Sequence, residues 1–157
     1  MKEILDSEDI DGLSIDKLNE QYKDGNTLLH KAILGRKVDL VKKLVEKGAS
    51  IDVKDFEGKT PLHIASGAGH KEVCELLLKR ESSIDAEMDS GHTPLMIASW
   101  DGYKEVRELL LGKEASVDTV DRNGWTALHI ASGNGHAELC ELLLEKGASV
   151  DTADKVC

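Results

Sequence analysis

The hydrophobic positions of this chain come in short blocks separated by polar, glycine-containing stretches. In Lys71–Leu78, the apolar residues Val73, Cys74, Leu77 and Leu78 fall three and four apart, while Glu72, Glu75 and Lys79 take the other side. That spacing predicts an amphipathic helix with one buried and one wet face. A shorter block precedes it, opening at Thr60-Pro61-Leu62-His63 and running through Ala65. Threonine is a favourable N-cap, and proline fits the first helical position because the amide it lacks has no partner inside the helix. Gly69 stands between the two blocks, where a tight reversal is needed. The predicted unit is therefore a short helix, a turn, a second helix and a polar loop.

The same unit recurs every 33 residues. Thr27, Thr60, Thr93 and Thr126 open four related segments, Ala32, Ala65, Ala98 and Ala131 follow at one fixed position, and Gly25, Gly58, Gly91 and Gly124 precede each threonine by two. Asp52, Asp85, Asp118 and Asp151 keep the same period. One helix pair cannot bury both of its faces, but stacked pairs form a continuous core. This accounts for a chain with only 3% aromatic residues: its core must be built from Leu, Ile, Val and Ala.

The period, the Thr-Pro-Leu-His-x-Ala run, the pairs Gly69-His70 and Gly135-His136, and Gly48-Ala49 and Gly147-Ala148 resemble the ankyrin repeat over about residues 24–154. The resemblance implies an all-α ankyrin-repeat solenoid of four stacked helix-turn-helix repeats with β-hairpin-like loops. The expected organisation is an acidic N-terminal segment with a short capping helix at 1–23. Four repeats then span 24–153, at about 22–54, 55–87, 88–120 and 121–153, and 154–157 is the truncated start of a fifth. The first His of the motif (His30, His63, His129) is expected to hydrogen-bond between neighbouring loops.

Several residues depart from the pattern. In the first repeat Leu28 replaces proline, Arg36 stands where the reversal glycine belongs, and Lys37 replaces histidine. Glu81 and Glu114 replace the glycine that ends the second helix elsewhere, a position expected to need left-handed backbone at about 1 kcal/mol for a non-glycine residue. In the N-terminal segment, Ile15 and Leu18 at helical spacing after Ser14 are expected to dock on the first repeat. The outer face of repeat four, near Leu139, Leu143 and Leu144, is expected to be partly exposed and to allow weak self-association of an otherwise monomeric chain.

Charge narrows the function. The net charge is −10 with pI near 5.0, and half of it lies in the first 24 residues, which hold eight acids and three lysines. Such a surface repels phosphate backbones and anionic lipid, so neither nucleic acid nor membrane is expected as a partner. Three cysteines without zinc-type spacing and no apolar leader fit a cytoplasmic setting. His30, His63 and His129 share one repeat position and His70 and His136 another, so they stack one per layer and read as structural; His92 falls outside both sets. Ser7–Gly12 lacks the acidic first position of an EF-hand loop, with Leu18 where its last glutamate belongs, and no phosphate loop or nucleophile motif is present. No cofactor and no catalytic activity are expected.

The resemblance implies a protein or peptide partner bound through the concave face, at the loop tips and the exposed side of the first helices. Those positions map to Phe56, Lys59, His92, Trp100, Asp101, Arg122, Asn123 and Trp125. Trp and Arg are enriched among binding hot spots. Trp100 and Trp125 lie on consecutive layers and are expected to come together beside Arg122. The expected role is a scaffold or adaptor module; the alternative is a regulatory ankyrin portion of a larger protein such as a kinase or channel.

Overall fold

A computed structural model describes residues 10–150. The chain forms α1 (Ile15–Leu18), α2 (Leu28–Leu34), α3 (Val38–Glu46), α4 (Pro61–Gly67), α5 (Lys71–Lys79), α6 (Pro94–Asp101), α7 (Lys104–Gly112), α8 (Ala127–Gly133) and α9 (Ala137–Glu145), with no regular strand among the described residues. Each repeat is a helix pair, α2/α3 through α8/α9. The first helices α2, α4, α6 and α8 pack in one row, and α3, α5 and α7 stack behind them. The expected core forms between the rows, with Leu29, Leu62, Leu95, Leu44, Leu77 and Leu110 all fully buried.

The Thr-x-x-His motif builds the start of three of the four first helices; in the third repeat Met96 stands in the histidine's place. In repeat two the Thr60 backbone N–H donates to His63 Nδ1 at 3.1 Å, and the Thr60 hydroxyl oxygen accepts from His63 N–H at 3.4 Å. Because Nδ1 accepts, the ring proton sits on Nε2, which donates to the next repeat's His92 carbonyl at 2.9 Å. His30 does the same with Thr27 and the Lys59 carbonyl, at 3.1 Å in each case. At His30 and His63 the short motif thus caps a helix and ties it to the following loop, as expected; His129 caps its own helix in the same way, but its Nε2 finds no partner among the described residues.

This arrangement makes stability depend on pH. Burial holds the pKa of His30 and His63 below the ordinary histidine value. Protonation falls on Nδ1, which would then no longer accept from the threonine amide. With the folded pKa depressed, the contribution is complete above the unfolded value near 6.5 and is lost as pH falls through the folded pKa, by at most about 1.4 kcal/mol per pH unit per proton. Urea midpoints should be flat above about pH 7.5 and decline between about pH 7 and 5. The double variant His30→Met/His63→Met, which copies Met96 of repeat three, should flatten most of that decline. An unchanged slope in the variant would assign the pH response to other groups.

The loops are hairpins without ladders. Asp55 N–H donates to the Lys59 carbonyl at 3.0 Å and Gly58 N–H to the Asp55 carbonyl at 3.0 Å, with equivalent bonds at Tyr22/Asn26, Met88/His92 and Asp121/Trp125. Adjacent hairpins are joined by Asp89 N–H to Glu57 O and Arg122 N–H to Ser90 O, both 3.0 Å. The recurring aspartate also links layers: Asp52 accepts from Ser83 N–H at 3.0 Å, Asp85 from Ser116 at 2.8 Å and Asp118 from Ser149 at 3.0 Å. Asn19, 33 residues before Asp52, accepts from Ser50 N–H at 2.8 Å, and Gln21 donates to Lys54 O at 2.8 Å, as Lys54 does to Glu87 O. The 33-residue register therefore reaches back to Asn19.

The exceptional helix ends adopt the left-handed backbone expected of them: φ is 56° at Arg36, 64° at Glu81 and 62° at Glu114. Two expectations at the ends of the stack are corrected. Ile15 is 59% exposed, while Ile10 and Leu18 are buried at 0% and 1% and cover the first repeat. A four-residue helix has only one inward side, and Leu18 takes it. At the other end, Leu139 and Leu143 are buried at 2% and 0%, because α8 and α9 cover each other's inner faces; exposure falls on Leu144 at 44%. The 154–157 segment, Cys157 and the 7–9 part of the calcium-loop comparison lie outside the described residues.

Candidate partner-binding face

The first-helix row and the hairpins form one face, and the repeat register sets which side chains it shows. The residue before each threonine lies at the end of a hairpin, giving the series Asn26, Lys59, His92 and Trp125. The seventh residue after each threonine lies near the end of the first helix, giving Leu34, Gly67, Trp100 and Gly133. Of the expected site residues, Phe56 is 68% exposed, Trp100 51% and Trp125 38%; Asp101, Arg122 and Asn123 are also exposed, and Lys59 and His92 are half-buried.

The two indoles do not meet. Trp100 places its ring 5.9 Å from His92 in an edge-on contact, and Trp125 stacks on His129 at 6.3 Å with 19° between planes. Their positions explain this. Trp125 ends a hairpin and Trp100 ends a helix, so each reaches the histidine nearest to it rather than the other indole. His92 holds its partner firmly in place: Nε2 donates to Asp121 Oδ2 at 3.2 Å, and Ser90 Oγ lies 2.6 Å from Nδ1. Asp121 is itself buried, and its Oδ1 accepts from the Asn123 and Trp125 amides at 2.8 and 2.9 Å. One carboxylate thus orients His92, and through it the edge contact to Trp100, while also shaping the turn that carries Arg122, Asn123 and Trp125. Phe56 is displaced toward repeat one, over Gly25, and Lys59 pairs with Glu57.

A groove that the sequence reading did not find lies between repeats one and three. It measures about 290 Å³ and is lined by Leu34, Lys59, His63, Ile64, Gly67, Ala68, Met88 and Ile97. Its walls are aliphatic, and its floor is open because Gly67 and Ala68 carry little or no side chain. Ile97 and Trp100 are three apart on α6, which puts both on one side of that helix. Leu34 is 58% exposed. The signal available in the sequence was its shared register with Trp100. Ile64 and Ile97 gave none, since an isoleucine next to the core run looks like core.

Two further features of the sequence fall outside this face. Cys74 is a buried free thiol whose pKa burial pushes up to about 11, and Cys140 is also free. No helix among the described residues is long and apolar enough to cross a membrane.

Comparison with known proteins agrees with the architecture. No curated protein matches the chain significantly. A family model for ankyrin repeats, taken three copies at a time, matches residues 2–88 and again 81–154, which together span almost the whole chain. With the period, the reciprocal Thr–His caps, the joined hairpins and this match in hand, the chain belongs to the ankyrin-repeat family.

Proposed function

We propose that this chain is an adaptor module that binds a partner protein or peptide through the face formed by its hairpins and first helices. Ankyrin repeats are generally protein–protein interaction modules rather than enzymes. The observation that carries the reading is the apolar groove beside Trp100. Leu34, Trp100 and Phe56 are each more than half exposed on a chain with a net charge of −10, where apolar surface has a cost in solubility. The groove's volume suits one aliphatic or aromatic side chain of a partner. Trp100, Trp125, Phe56 and Arg122 supply the anchors, and Lys59, His92, Asp101 and Asn123 supply polar contacts at its rim.

The test compares wild type with Trp100→Ala/Trp125→Ala, both first shown by circular dichroism to be equally helical. Partners captured from a lysate by wild type are identified, and each affinity is then measured by calorimetry. The double variant should weaken binding about tenfold or more, some 1.4 kcal/mol, because rigid aromatic anchors carry a large share of interface energy. Leu34→Ala should weaken it further. Affinities unchanged in both variants would remove the partner from this face.

A further inference from the structure

One position in the second helices breaks the chain's own pattern. Val41, Cys74 and Cys140 stand 33 and 66 residues apart in α3, α5 and α9, and the member of the series in α7 is Arg107. The position faces the first helix of its own repeat: Cys74 Sγ lies 3.8 Å from Ser66 Oγ, and Cys140 Sγ 3.5 Å from Ser132 Oγ. Small side chains suit it. In repeat three, Ser99 instead donates to the Leu95 carbonyl at 2.6 Å, and the place of the thiol is taken by an arginine that is only 7% exposed.

Guanidinium stays charged at any pH a protein survives, and it carries five donors. Arg107 forms no ion pair among the described residues, and its Nη1 is buried without a hydrogen-bond partner. Buried donors of this kind are rare, and each calls for an explanation. The side chain lines a pocket of about 180 Å³ between α7 and α9, together with Lys104, Glu108, Glu138, Leu139 and Leu142. The two glutamates are engaged elsewhere: Lys104 Nζ lies 3.3 Å from Glu138 and 3.9 Å from Glu108. One ammonium therefore holds both carboxylates, and the guanidinium is left without a carboxylate partner among the residues that line the pocket.

We propose that Arg107 and this pocket form a binding site for a carboxylate group, separate from the partner-binding face. The planar guanidinium matches a carboxylate with two parallel N–H···O bonds. Leu139 and Leu142 give the ligand's carbon atoms an apolar wall. Glu108 and Glu138 set the charge preference: they oppose a dianion more strongly than a monoanion, so a carboxylate is favoured over phosphate.

The test is a titration of the whole chain, followed by NMR through the Arg107 guanidinium and the backbone amides of α7 and α9. Acetate, inorganic phosphate and N-acetylglutamate amide are compared with chloride at matched ionic strength. Acetate should give saturable shifts that chloride does not, with phosphate weaker. Equal binding of the glutamate derivative would identify the ligand as an acidic side chain of another protein, whereas binding of acetate alone would identify a free small acid. Arg107→Cys, which installs the residue of repeats two and four and should fold, should abolish the shifts. Glu138→Gln should tighten acetate binding several-fold by removing a negative charge from the lining, an effect a purely structural arginine would not show. Acetate shifts no larger than those of chloride, or shifts surviving in Arg107→Cys, would overturn the site.

Discussion

An alanine at Gly58 is expected to cost the fold on the order of 3 kcal/mol, well beyond the cost of an alanine at Gly48. Both glycines have left-handed backbone, with φ of 78° and 91°. Any L-residue in that conformation loses about 1 kcal/mol, so this part of the penalty is shared. The surroundings differ. A Cβ at Gly48 meets nothing within 4 Å, whereas at Gly58 it would lie 2.5 Å from Asp89 Oδ1 and 2.7 Å from the Asp89 backbone nitrogen. A side-chain oxygen can swing away, but the amide cannot, because it donates to the Glu57 carbonyl at 3.0 Å and is the bond that joins the second and third hairpins. Relieving the clash therefore means parting the hairpins. Urea unfolding of the two variants at neutral pH should differ by about 2 kcal/mol, the overpacking share of the penalty. Equal losses would show that the hairpins yield freely and that the inter-hairpin bonds contribute little.

This contrast also marks what could be seen from sequence. A glycine repeated every 33 residues announces a backbone requirement, and a repeated Thr-x-x-His announces a cap; both are local, so position alone suffices. The partner of a side chain is not local in this sense. The period places Trp100 and Trp125 on adjacent layers and at exposed positions, yet each turns to a histidine, since a period gives the layer and the face but not the column in which a ring comes to rest. Leu34, Ile64 and Ile97 are hard to single out from sequence for the opposite reason. Hydrophobic residues in a repeat are assigned to the core by default, and only the small residues opposite them, Gly67 and Ala68, leave the isoleucines at a groove wall. Arg107 stands out only when the whole series is laid side by side: Cys74 and Cys140 match each other, and the residue between them is the informative one. Asn19 and Gln21 do the work of Asp52 and Lys54 with different functional groups, so identity-based reading stops short of them although the spacing holds.

The same logic of backbone requirement predicts a gain in stability. Glu81 and Glu114 close α5 and α7 with φ of 64° and 62°, where Gly48 and Gly147 close α3 and α9. The hydrogen bonds are alike in all four places: Glu81 N–H donates to Leu78 O and Ser82 N–H to Leu77 O, just as Gly48 N–H donates to Val45 O and Ala49 N–H to Leu44 O. The motif forms whichever residue is present, and the glutamates bear its conformational strain. Neither carboxylate forms an ion pair among the described residues, so glycine would forfeit no partner. Relief of left-handed strain is worth about 1 kcal/mol per site, and the added freedom of glycine in the unfolded chain takes back part of it. Glu81→Gly/Glu114→Gly should thus raise stability by up to about 2 kcal/mol in total, or up to roughly 8 °C in Tm for a chain of this size. Arg36→Gly supplies the control. Its φ of 56° carries the same strain, but its Nη2 donates to the Ala68 carbonyl of the next repeat at 3.0 Å. Removing that bond offsets the relief, so Arg36→Gly should leave Tm nearly unchanged. A double glutamate variant no more stable than wild type would mean that the strain at these helix ends is already absorbed by the surrounding turns. A gain from Arg36→Gly equal to that at the glutamates would show that its bond across the repeats adds nothing to the stack.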